Sequence, residues 1–399
     1  MTHEDGTHRG TSAREISARE ISARELAGLF DEGAPIQIMD VRAPERVDRN
    51  RIDLVPPDRF RNIPGSQLVK HTTLDGTGLD PDLPVVVICG RGQDSRTLTL
   101  HLERMGLDAR SLAGGMAVWM RLTVPRELDA PEGLDRLVQF DRMGKGCLGY
   151  LLISGGEAFI VDPPLDFGAY LETLEASGAR LVGVADTHVH ADYVSGGPEL
   201  ARRFGIPYHL HPADAVYPYD GRKGPLDFHA ISDGDAVAVG TTTLQVTHTP
   251  GHTEGSVTYL VEDRVALTGD FLFVESVGRP DLAGKEQEWA RGLWSSLTRA
   301  IREWSDGLAV YPAHYAAETE RRMGRAVGSP FGTLLRENEI LKIQDPEVFY
   351  HEILKQRASF PEAYRKIKAI NVGLAPVVES EVEELEVGRN ECALGGGAS

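Results

Sequence analysis

Residues 187–193 read Thr-His-Val-His-Ala-Asp-Tyr and follow the apolar run 181–185, which is typical of a buried β-strand. Two side chains that are two residues apart point to the same side of an extended segment, so His188 and His190 can approach one metal ion. In a helix the same spacing would direct them apart. The segment therefore predicts a metal site where a strand ends.

Three further candidate ligands each stand at the end of their own apolar run. His252 follows residues 244–247, Asp270 follows residues 265–267, and His314 follows residues 308–310. Four strand ends that each deliver a polar side chain predict a sheet rim that holds a metal. Gly251 and Gly269 would let the backbone turn sharply beside these ligands.

The motifs at residues 187–192, 249–256, 267–270 and 312–314 resemble the successive motifs of the metallo-β-lactamase superfamily. The resemblance covers roughly Leu134 to the mid-300s, and it implies an αββα sandwich with the metal at one edge of the two sheets. In the dinuclear hydrolases of that superfamily, such as glyoxalase II, a second His follows the Asp of the first motif and helps to bind a second ion. In this chain that position is Tyr193.

The substitution at Tyr193 weakens the case for two metal ions. A neutral phenol is a poor ligand for a divalent cation at pH 7, so hydrolysis by a bridging hydroxide loses one support. Asp192 and His314 remain, which leaves a weak second site open.

The ligand set that survives best is two imidazoles and one carboxylate, from His188, His252 and Asp270. With open positions on the ion, this set suits one non-haem Fe(II) that must bind O2 and a substrate. Zinc is the alternative metal, and it would favour a tetrahedral site with His190 added.

Residues 269–274 and 277–281 resemble the persulfide dioxygenase branch of the superfamily, especially members fused to rhodanese domains. In that branch an aromatic residue can stand where Tyr193 does. The resemblance implies a mononuclear iron that oxidises a low-molecular-weight thiol persulfide with O2 to sulfite and thiol. Tyr193 and Arg279 are candidate substrate-binding residues, and Arg279 could instead orient Asp270 or form a merely structural salt bridge.

The first third of the chain carries a second set of motifs. The buried-strand run 85–88 leads into Cys89, a glycine-rich loop and the helix-like residues 97–104. Backbone N–H groups and a helix N-terminus around Cys89 would stabilise an anionic sulfur. Together with residues 38–42, 62–66 and 112–119, these segments resemble the motifs of rhodaneses over about Ser22 to Arg121.

The resemblance to rhodaneses implies that Cys89 is the sulfur-accepting nucleophile. It also implies a cradle for the persulfide formed by Gly90, Arg91, Gly92, Gln93, Asp94 and Ser95. Many thiosulfate-using rhodaneses have Arg where this chain has Asp94, and a carboxylate there would repel an anionic donor. Arg91 and Arg96 could compensate. A buried, inert Cys89 in a degenerate domain is the alternative.

The composition is that of a cytoplasmic enzyme of two domains. The 399 residues include 42 basic and 60 acidic side chains, and the net charge of −18 argues against nucleic acid or an anionic membrane as a partner. Three cysteines indicate free thiols in a reducing compartment. The polar N-terminus is unlike a secretory signal, and no apolar run reaches the length of a transmembrane helix.

The predicted fold class is α/β, with a rhodanese α/β domain followed by a metallo-β-lactamase αββα sandwich and C-terminal helices. The predicted organisation is a flexible leader (1–21), a rhodanese-like domain (22–124), a linker (125–133), the sandwich with its helices (134–376) and an acidic tail (377–399). The leader contains a threefold pentapeptide whose apolar residues share no helical face, so only its last copy should join a helix. Cys147 is expected to be a packed strand residue, and Cys392 to have no role.

These observations favour a sulfur-metabolism enzyme in which rhodanese sulfur transfer through Cys89 is coupled to persulfide oxidation at one Fe(II) per chain. The expected partners are a small thiol persulfide, O2 and sulfite or thiosulfate. The C-terminal helices could wall the substrate pocket or, equally, serve a homo-oligomer interface. One alternative is a zinc-dependent, glyoxalase II-like thioester hydrolase that uses His190 and His314. Another is a non-enzymatic, sulfide-responsive binding module that is switched by persulfidation of Cys89.

Overall fold

The computed structural model describes residues 18–281, 284–315, 317–322, 325–355 and 362–392. The described residues form two compact units, which divide between Val118 and Trp119. No helix in these described ranges is long and apolar enough to cross a membrane.

The first unit is built on a five-stranded parallel sheet with the strand order β1-β5-β4-β2-β3. Its core lies between this sheet and its helices, where Met39, Val87 and Leu102 are buried together. The strands are β1 (Glu20–Ile21), β2 (Gln37–Asp40), β3 (Phe60–Asn62), β4 (Val85–Ile88) and β5 (Ala109–Leu112). The helices are α1 (Ala23–Glu32), α2 (Pro44–Arg49), α3 (Gly65–Leu68), α4 (Gln93–Arg104) and α5 (Gly115–Trp119).

The end of the predicted flexible leader is ordered. Residues 20–21 form β1, which pairs with the edge strand β5. Ser22 then starts α1 with a capping box, because its hydroxyl accepts from the Glu25 N–H while the Glu25 carboxylate accepts from the Ser22 N–H. The second pentapeptide copy therefore supplies an edge strand and the third a helix. Residues 1–17 lie outside the described ranges.

The second unit contains two sheets that pack face to face. The first has the order β12-β11-β10-β9-β8-β7-β6, and the second has the order β13-β14-β15-β16-β17-β20. The strands of the first sheet are β6 (Val124–Leu128), β7 (Arg136–Arg142), β8 (Cys147–Ser154), β9 (Glu157–Val161), β10 (Arg180–Ala185), β11 (Tyr208–Leu210) and β12 (His229–Ala230). Those of the second are β13 (Ala236–Val239), β14 (Thr242–His248), β15 (Val257–Val261), β16 (Val265–Gly269), β17 (Ala309–Pro312) and β20 (Ser329–Pro330), beside a separate ribbon of β18 (Arg321–Arg322) and β19 (Ala326–Val327).

Alternation along β8 shows how the two faces of the first sheet are covered. Leu148 and Leu152 point to the core between the sheets, whereas Leu151 and Ile153 point to a second core on the outer face. Because both faces are buried, the strand is apolar throughout and not simply alternating. The outer core is closed by α6 (Gly168–Ser177) and α7 (Gly197–Phe204).

Helices also cover the second sheet, which completes the αββα order predicted from the sequence. Buried residues of α8 (Glu286–Glu303), α9 (Phe331–Glu337) and α10 (Pro346–Lys355) belong to the same core as the strands. The chain continues with α11 (Glu362–Asn371) and α12 (Glu379–Leu385). The predicted fold class, including C-terminal helices, is confirmed.

Two predicted boundaries differ from the structure. The expected linker 125–133 contains most of β6, which pairs with β7 over five residues and so belongs to the sandwich. The expected acidic tail, 377–399, contains α12 and then the buried residues Glu386, Asn390 and Cys392. Both segments contain proline, glycine or acidic residues typical of loops and tails, and their pairing with distant residues overrides that local signal.

Candidate metal centre

Strand ends bring the predicted ligands to one edge of the sandwich. His188 lies three residues after β10, and His252 follows β14. Asp270 directly follows β16, and His314 lies two residues after the end of β17. Gly269 has a φ of 55°, and a Cβ there would lie 2.4 Å from the Thr187 hydroxyl oxygen. Glycine therefore permits both the left-handed turn and the close approach of the strand end to the first motif.

Three atoms at this edge converge on one point. The Nε2 atoms of His188 and His252 lie 3.5 Å and 3.3 Å from Oδ2 of Asp270. All three atoms are buried, and none has a hydrogen-bond partner among the described residues. Unpartnered buried polar atoms are costly, and two neutral imidazoles with one carboxylate are a set of metal ligands. The residues present therefore fit a metal ion.

Neighbouring groups orient both imidazoles with Nε2 towards that point. Nδ1 of His252 lies 3.1 Å from the Arg279 carbonyl oxygen, which can only accept, so Nδ1 carries the proton and Nε2 keeps its lone pair. Nδ1 of His188 lies 3.0 Å from the Thr187 hydroxyl, whose own proton goes to Asp162. Burial, ahead of the charges around it, lowers the pKa of His252 well below its ordinary value, which favours this neutral form.

His314 lies between two carboxylates instead of facing the same point. Its Nδ1 is 2.5 Å from Oδ1 of Asp270, and its Nε2 is 3.1 Å from Oδ2 of Asp192. Burial opposes protonation of His314, but the two carboxylates overcome it and raise the imidazole pKa well above the ordinary value. His314 thus orients Asp270 from behind, as ligand-supporting groups commonly do.

His190 is grouped with Asp162 and Asp186 and not with the three converging atoms, and its Nδ1 has no hydrogen-bond partner among the described residues. Its Nε2 lies 2.8 Å from the Tyr193 hydroxyl and 3.1 Å from Oδ1 of Asp162, and the two rings stack at 4.2 Å. Tyr193 is fully buried, and its hydroxyl also donates to the Asp162 carbonyl oxygen. Tyr193, predicted as a substrate contact, holds the imidazole of His190 in this position.

Arg279 forms the structural salt bridge that was the alternative to a substrate or Asp270 contact. Its guanidinium makes a two-point pair with Asp281, with distances of 2.8 Å and 2.9 Å. The contribution of Arg279 to the centre is its backbone carbonyl, which accepts from His252.

Two carboxylates that the sequence motifs did not single out support the ligand loops. Asp214 accepts hydrogen bonds from the Val189 N–H, the Thr253 hydroxyl and the Gly255 N–H, all at 2.7–2.8 Å. Asp162 accepts from the Thr187 N–H at 2.7 Å and has a φ of 53°. The left-handed conformation of a non-glycine residue is the one local sign of a special role for Asp162, and it is visible only in the structure.

The two cysteines of the second unit are also at this edge. Cys147, on β8 as predicted, donates its thiol hydrogen to Asp192 at 3.2 Å, and burial raises its pKa to about 12. Cys392 is fully buried, and its sulfur lies within 4.8 Å of ligand atoms of Asp270 and His314. Cys392 therefore lies beside the centre, which the sequence analysis did not expect.

The predicted nucleophile of the first unit lies between β4 and α4. The Gly92 N–H donates to Sγ of Cys89 at 3.1 Å, and the Ser95 hydroxyl lies 3.3 Å from the same sulfur. Gly115 packs so closely that a Cβ there would lie 2.3 Å from the Cys89 carbonyl oxygen. The structure thus brings Cys89, Gly92 and Ser95 together.

The charged residues of this loop differ from expectation. Arg91 and Asp94 are exposed. Arg96, expected to compensate Asp94, pairs instead with Glu20 at 2.7 Å and 3.0 Å. The guanidinium of Arg46, which the sequence analysis did not consider, lies 4.0 Å from where a Cβ on Gly90 would be.

Comparisons with known proteins agree with this division. The Rhodanese-like domain family matches residues 22–122, and the Metallo-beta-lactamase superfamily matches residues 143–335. An uncharacterized protein of Aquifex aeolicus (strain VF5) is 33% identical over 192 residues, which are 45% of this chain and 88% of that protein. The chain belongs to the metallo-beta-lactamase superfamily. It carries a rhodanese domain ahead of its metallo-beta-lactamase domain.

Two further relatives of this metallo-beta-lactamase protein are named as hydrolases. A probable metallo-hydrolase of Burkholderia pseudomallei (strain 1710b) is 30% identical and matches 48% of this chain and 75% of that protein. A hydroxyacylglutathione hydrolase of Acidiphilium cryptum (strain JF-5) is 40% identical over 33% of this chain and 51% of its own length. Among solved structures, a metallo-beta-lactamase of Staphylococcus aureus subsp. aureus COL matches 62% of this chain and 75% of that one, with 25% identity and a TM-score of 0.55.

Proposed function

We propose that the metallo-beta-lactamase domain is a persulfide dioxygenase that uses a single Fe(II) held by His188, His252 and Asp270. The observation that carries this proposal is the convergence of three buried ligand atoms that have no hydrogen-bond partner among the described residues. Nε2 of His190 is instead hydrogen-bonded to the Tyr193 hydroxyl. The candidate iron site therefore has two histidines and one carboxylate as ligands. The neighbouring second site lacks a pair of histidine ligands.

The reaction balances without a further oxidant. A persulfide RSSH, O2 and water give RSH, sulfite and two protons, so the four electrons lost by the outer sulfur reduce one O2. Bound Fe(II) would supply a redox centre with open positions for both O2 and sulfur.

The protein's own contribution is to hold the ligands in place. Thr187 and the Arg279 carbonyl fix the two imidazoles, and His314 holds Asp270 by one oxygen so that the other stays free. The ligand side chains are fully buried, which keeps bulk water away from a reactive sulfur species. Such fixed geometry keeps the two reactants close together, which is the proximity contribution to rate.

We further propose that Cys89 exchanges sulfane sulfur with a small thiol. Its thiolate would attack the outer sulfur of a donor, forming a Cys89 persulfide and releasing the donor as a thiol. The Gly92 N–H and the N-terminus of α4 are placed to stabilise the anionic sulfur. The direction of this exchange is set by the donor supplied.

Oxygen uptake tests the proposed oxidation. Protein loaded anaerobically with Fe(II) should consume one O2 and release one sulfite for each molecule of small thiol persulfide, and zinc-loaded protein should not. His252→Ala should lose the iron and the activity together. Iron-loaded protein that consumes no oxygen would refute the proposal. A matched Cys89→Ser protein should keep oxygen uptake and lose only the persulfide on its first unit, read by mass spectrometry.

A zinc-dependent, glyoxalase II-like thioester hydrolase is the second candidate. It is favoured by the 40% identity to a hydroxyacylglutathione hydrolase and by a second cluster of Cys147, Asp192 and His314, whose ligand atoms lie within 4.8 Å of one another. Under this alternative, zinc-loaded protein would release thiol from a thioester in the absence of oxygen. Anaerobic thioester assays on iron-loaded and zinc-loaded samples distinguish the two candidates.

A further inference from the structure

A row of three buried side chains runs from Cys89 into the sheet of the first unit. Sγ of Cys89 lies 3.3 Å from the hydroxyl oxygen of Ser95, which in turn lies 2.8 Å from the hydroxyl oxygen of Ser111. Ser95 is in the first turn of α4, and Ser111 is on β5 beside Val87 of β4. Ser95 and Ser111 are fully buried, and Cys89 is 3% exposed. The protons of the two hydroxyls must therefore find acceptors within this row.

The number of protons in the row depends on the state of the sulfur. The thiol form has three protons, one on Cys89 and one on each serine, but only two contacts in which a proton can be shared. One buried donor is then always left without an acceptor, because Ser111 has no other side-chain partner among the described residues. The thiolate form has two protons for the same two contacts. Since a buried donor without an acceptor is unfavourable, the row favours the thiolate.

The direction of the hydrogen bonds follows from this count. In the thiolate form the Ser111 hydroxyl donates to Ser95, and the Ser95 hydroxyl donates to the sulfur of Cys89. The Gly92 N–H donates to the same sulfur at 3.1 Å. If Ser111 lost its hydroxyl, the Ser95 oxygen would lose the donor that leaves its own proton free for the sulfur.

Charged side chains do not replace these neutral donors. Among the described residues, none of them forms a hydrogen bond with Sγ of Cys89. The charged groups of the loop and of the neighbouring elements are exposed or bonded to one another: Arg46, Arg91 and Asp94 are exposed, and Asp40 pairs with Arg42 and Arg96 with Glu20. Stabilisation of an anionic sulfur is thus left largely to hydroxyl and backbone donors.

We propose that Ser111 is a positioning residue for the sulfur exchange, because it directs the Ser95 proton at Cys89 and so stabilises the attacking thiolate. This inference rests on the proposed exchange at Cys89. In that step Sγ bonds to the outer sulfur of the donor and the S–S bond of the donor breaks. The leaving thiolate carries away the negative charge. A larger thiolate fraction at neutral pH makes the exchange faster.

The pH profile of Cys89 alkylation tests the role of Ser111 without any sulfur donor. Full-length protein is treated with iodoacetamide, and the Cys89 peptide is followed by mass spectrometry. Ser111→Ala should raise the pH of half-limiting rate by about 0.5–1 unit, the size expected for one net hydrogen bond. Ser95→Ala should raise it by about 1–2 units, because it removes a hydrogen bond to the charged sulfur itself.

A double substitution distinguishes a residue that acts through Ser95 from a merely structural one. In the Ser95→Ala background, Ser111→Ala should add less than about 0.3 pH unit, because the group through which Ser111 acts is gone. Ser111→Thr and Ser111→Val form a second pair, which have the same shape and differ only in the hydroxyl. The threonine variant should keep the wild-type profile, and the valine variant should behave like Ser111→Ala.

Thr99→Val is the matched control. Thr99 lies four residues after Ser95 on α4, is fully buried, and its hydroxyl has no partner among the described residues. Its replacement should leave the alkylation profile unchanged, and thermal unfolding verifies that every variant folds. The same profile in wild type and Ser111→Ala, or equal shifts from Ser111→Ala with and without Ser95, would overturn the inference.

Sulfur transfer from glutathione persulfide separates this inference from the proposed exchange. If Cys89 gains no sulfur from this donor but its alkylation profile still shifts in Ser111→Ala, the positioning role stands and the proposed exchange fails. If Cys89 gains sulfur normally and the profile is the same in wild type and Ser111→Ala, the exchange stands and the positioning role is wrong.

Discussion

Asp214 joins two loops that lie far apart in the chain. Its two carboxylate oxygens accept from Val189 in the first ligand loop and from Thr253 and Gly255 in the second. Asp214→Asn should destabilise the second unit by about 1–3 kcal/mol, because an amide nitrogen would replace one acceptor and face buried donors. Metal content should fall as well, since both histidine loops lose a common support.

The Asp214→Asn prediction is measured by urea unfolding and by metal analysis of the same samples. Asp220→Asn is the control, because Asp220 lies in the same segment and pairs with Arg222 at an exposed position. It should cost less than about 0.5 kcal/mol. An Asp214→Asn protein with wild-type stability and metal content would show that this carboxylate does not support the centre.

The substitution of a single residue, Tyr193, provides a second prediction. Its hydroxyl contacts His190, and its ring lies 6.2 Å from that of His314, next to Asp192. Tyr193→His should therefore restore a ligand to the second site and raise the zinc content of zinc-loaded protein from about one to about two ions per chain, the number bound by two-metal sites. Metal analysis after dialysis measures this. A ratio that stays at one would mean that Tyr193 is not what limits the second site.

Sequence motifs predicted the residues that converge, because His188, His252 and Asp270 each stand at a strand end within a short signature. They did not predict Asp214. Asp214 is separated from Val189 by 25 residues and from Thr253 by 39. Nothing near Asp214 in the sequence states which groups it will meet after folding.

Among the secondary-structure elements, the strands were easier to predict from the sequence than the segment 377–399. Four apolar runs correspond to β10, β14, β16 and β17. β16 is buried at every position and gives a continuous hydrophobic signal, whereas β14 alternates buried and exposed residues. The segment 377–399 has an acidic composition typical of a solvated end. Its Glu386 nevertheless accepts from the Val194 N–H and pairs with Arg142 at 2.7 Å, both in buried positions. Composition cannot reveal a partner more than 190 residues away.

Glu386 connects the segment after α12 to the sandwich. Glu386→Gln should destabilise the second unit by about 3 kcal/mol, because it leaves the buried charge of Arg142 without its carboxylate. Glu383→Gln is the control: Glu383 pairs with Arg121 at an exposed position, and its loss should cost less than about 0.5 kcal/mol. Urea unfolding measures both. Equal effects of the two substitutions would mean that the segment after α12 adds little to stability.

The stability of the whole protein should depend on pH through His209, on β11. Burial, followed by the nearby His229, lowers the pKa of His209 to about 4. Below pH 6.5 the unfolded chain takes up a proton that the folded protein resists until about pH 4, so this contribution is present above pH 6.5 and is lost as pH falls through that window.

Replacing His209 tests this pH dependence. His209→Gln should reduce the drop in thermal unfolding temperature between pH 7 and pH 5, whereas replacement of the exposed His351 should leave the drop unchanged. Thermal unfolding followed by circular dichroism at both pH values measures it. An identical drop in wild type and His209→Gln would contradict the assignment.

The chain carries a rhodanese domain and a candidate metal centre, and the account of that centre rests on a single ion. Anomalous diffraction at the iron edge, on crystals of protein made in iron-supplied cells, tests this directly. The account predicts one iron per chain, within about 2.0–2.3 Å of Nε2 of His188, Nε2 of His252 and Oδ2 of Asp270. Two bridged metal ions, with His190 or Tyr193 as a ligand, would contradict it.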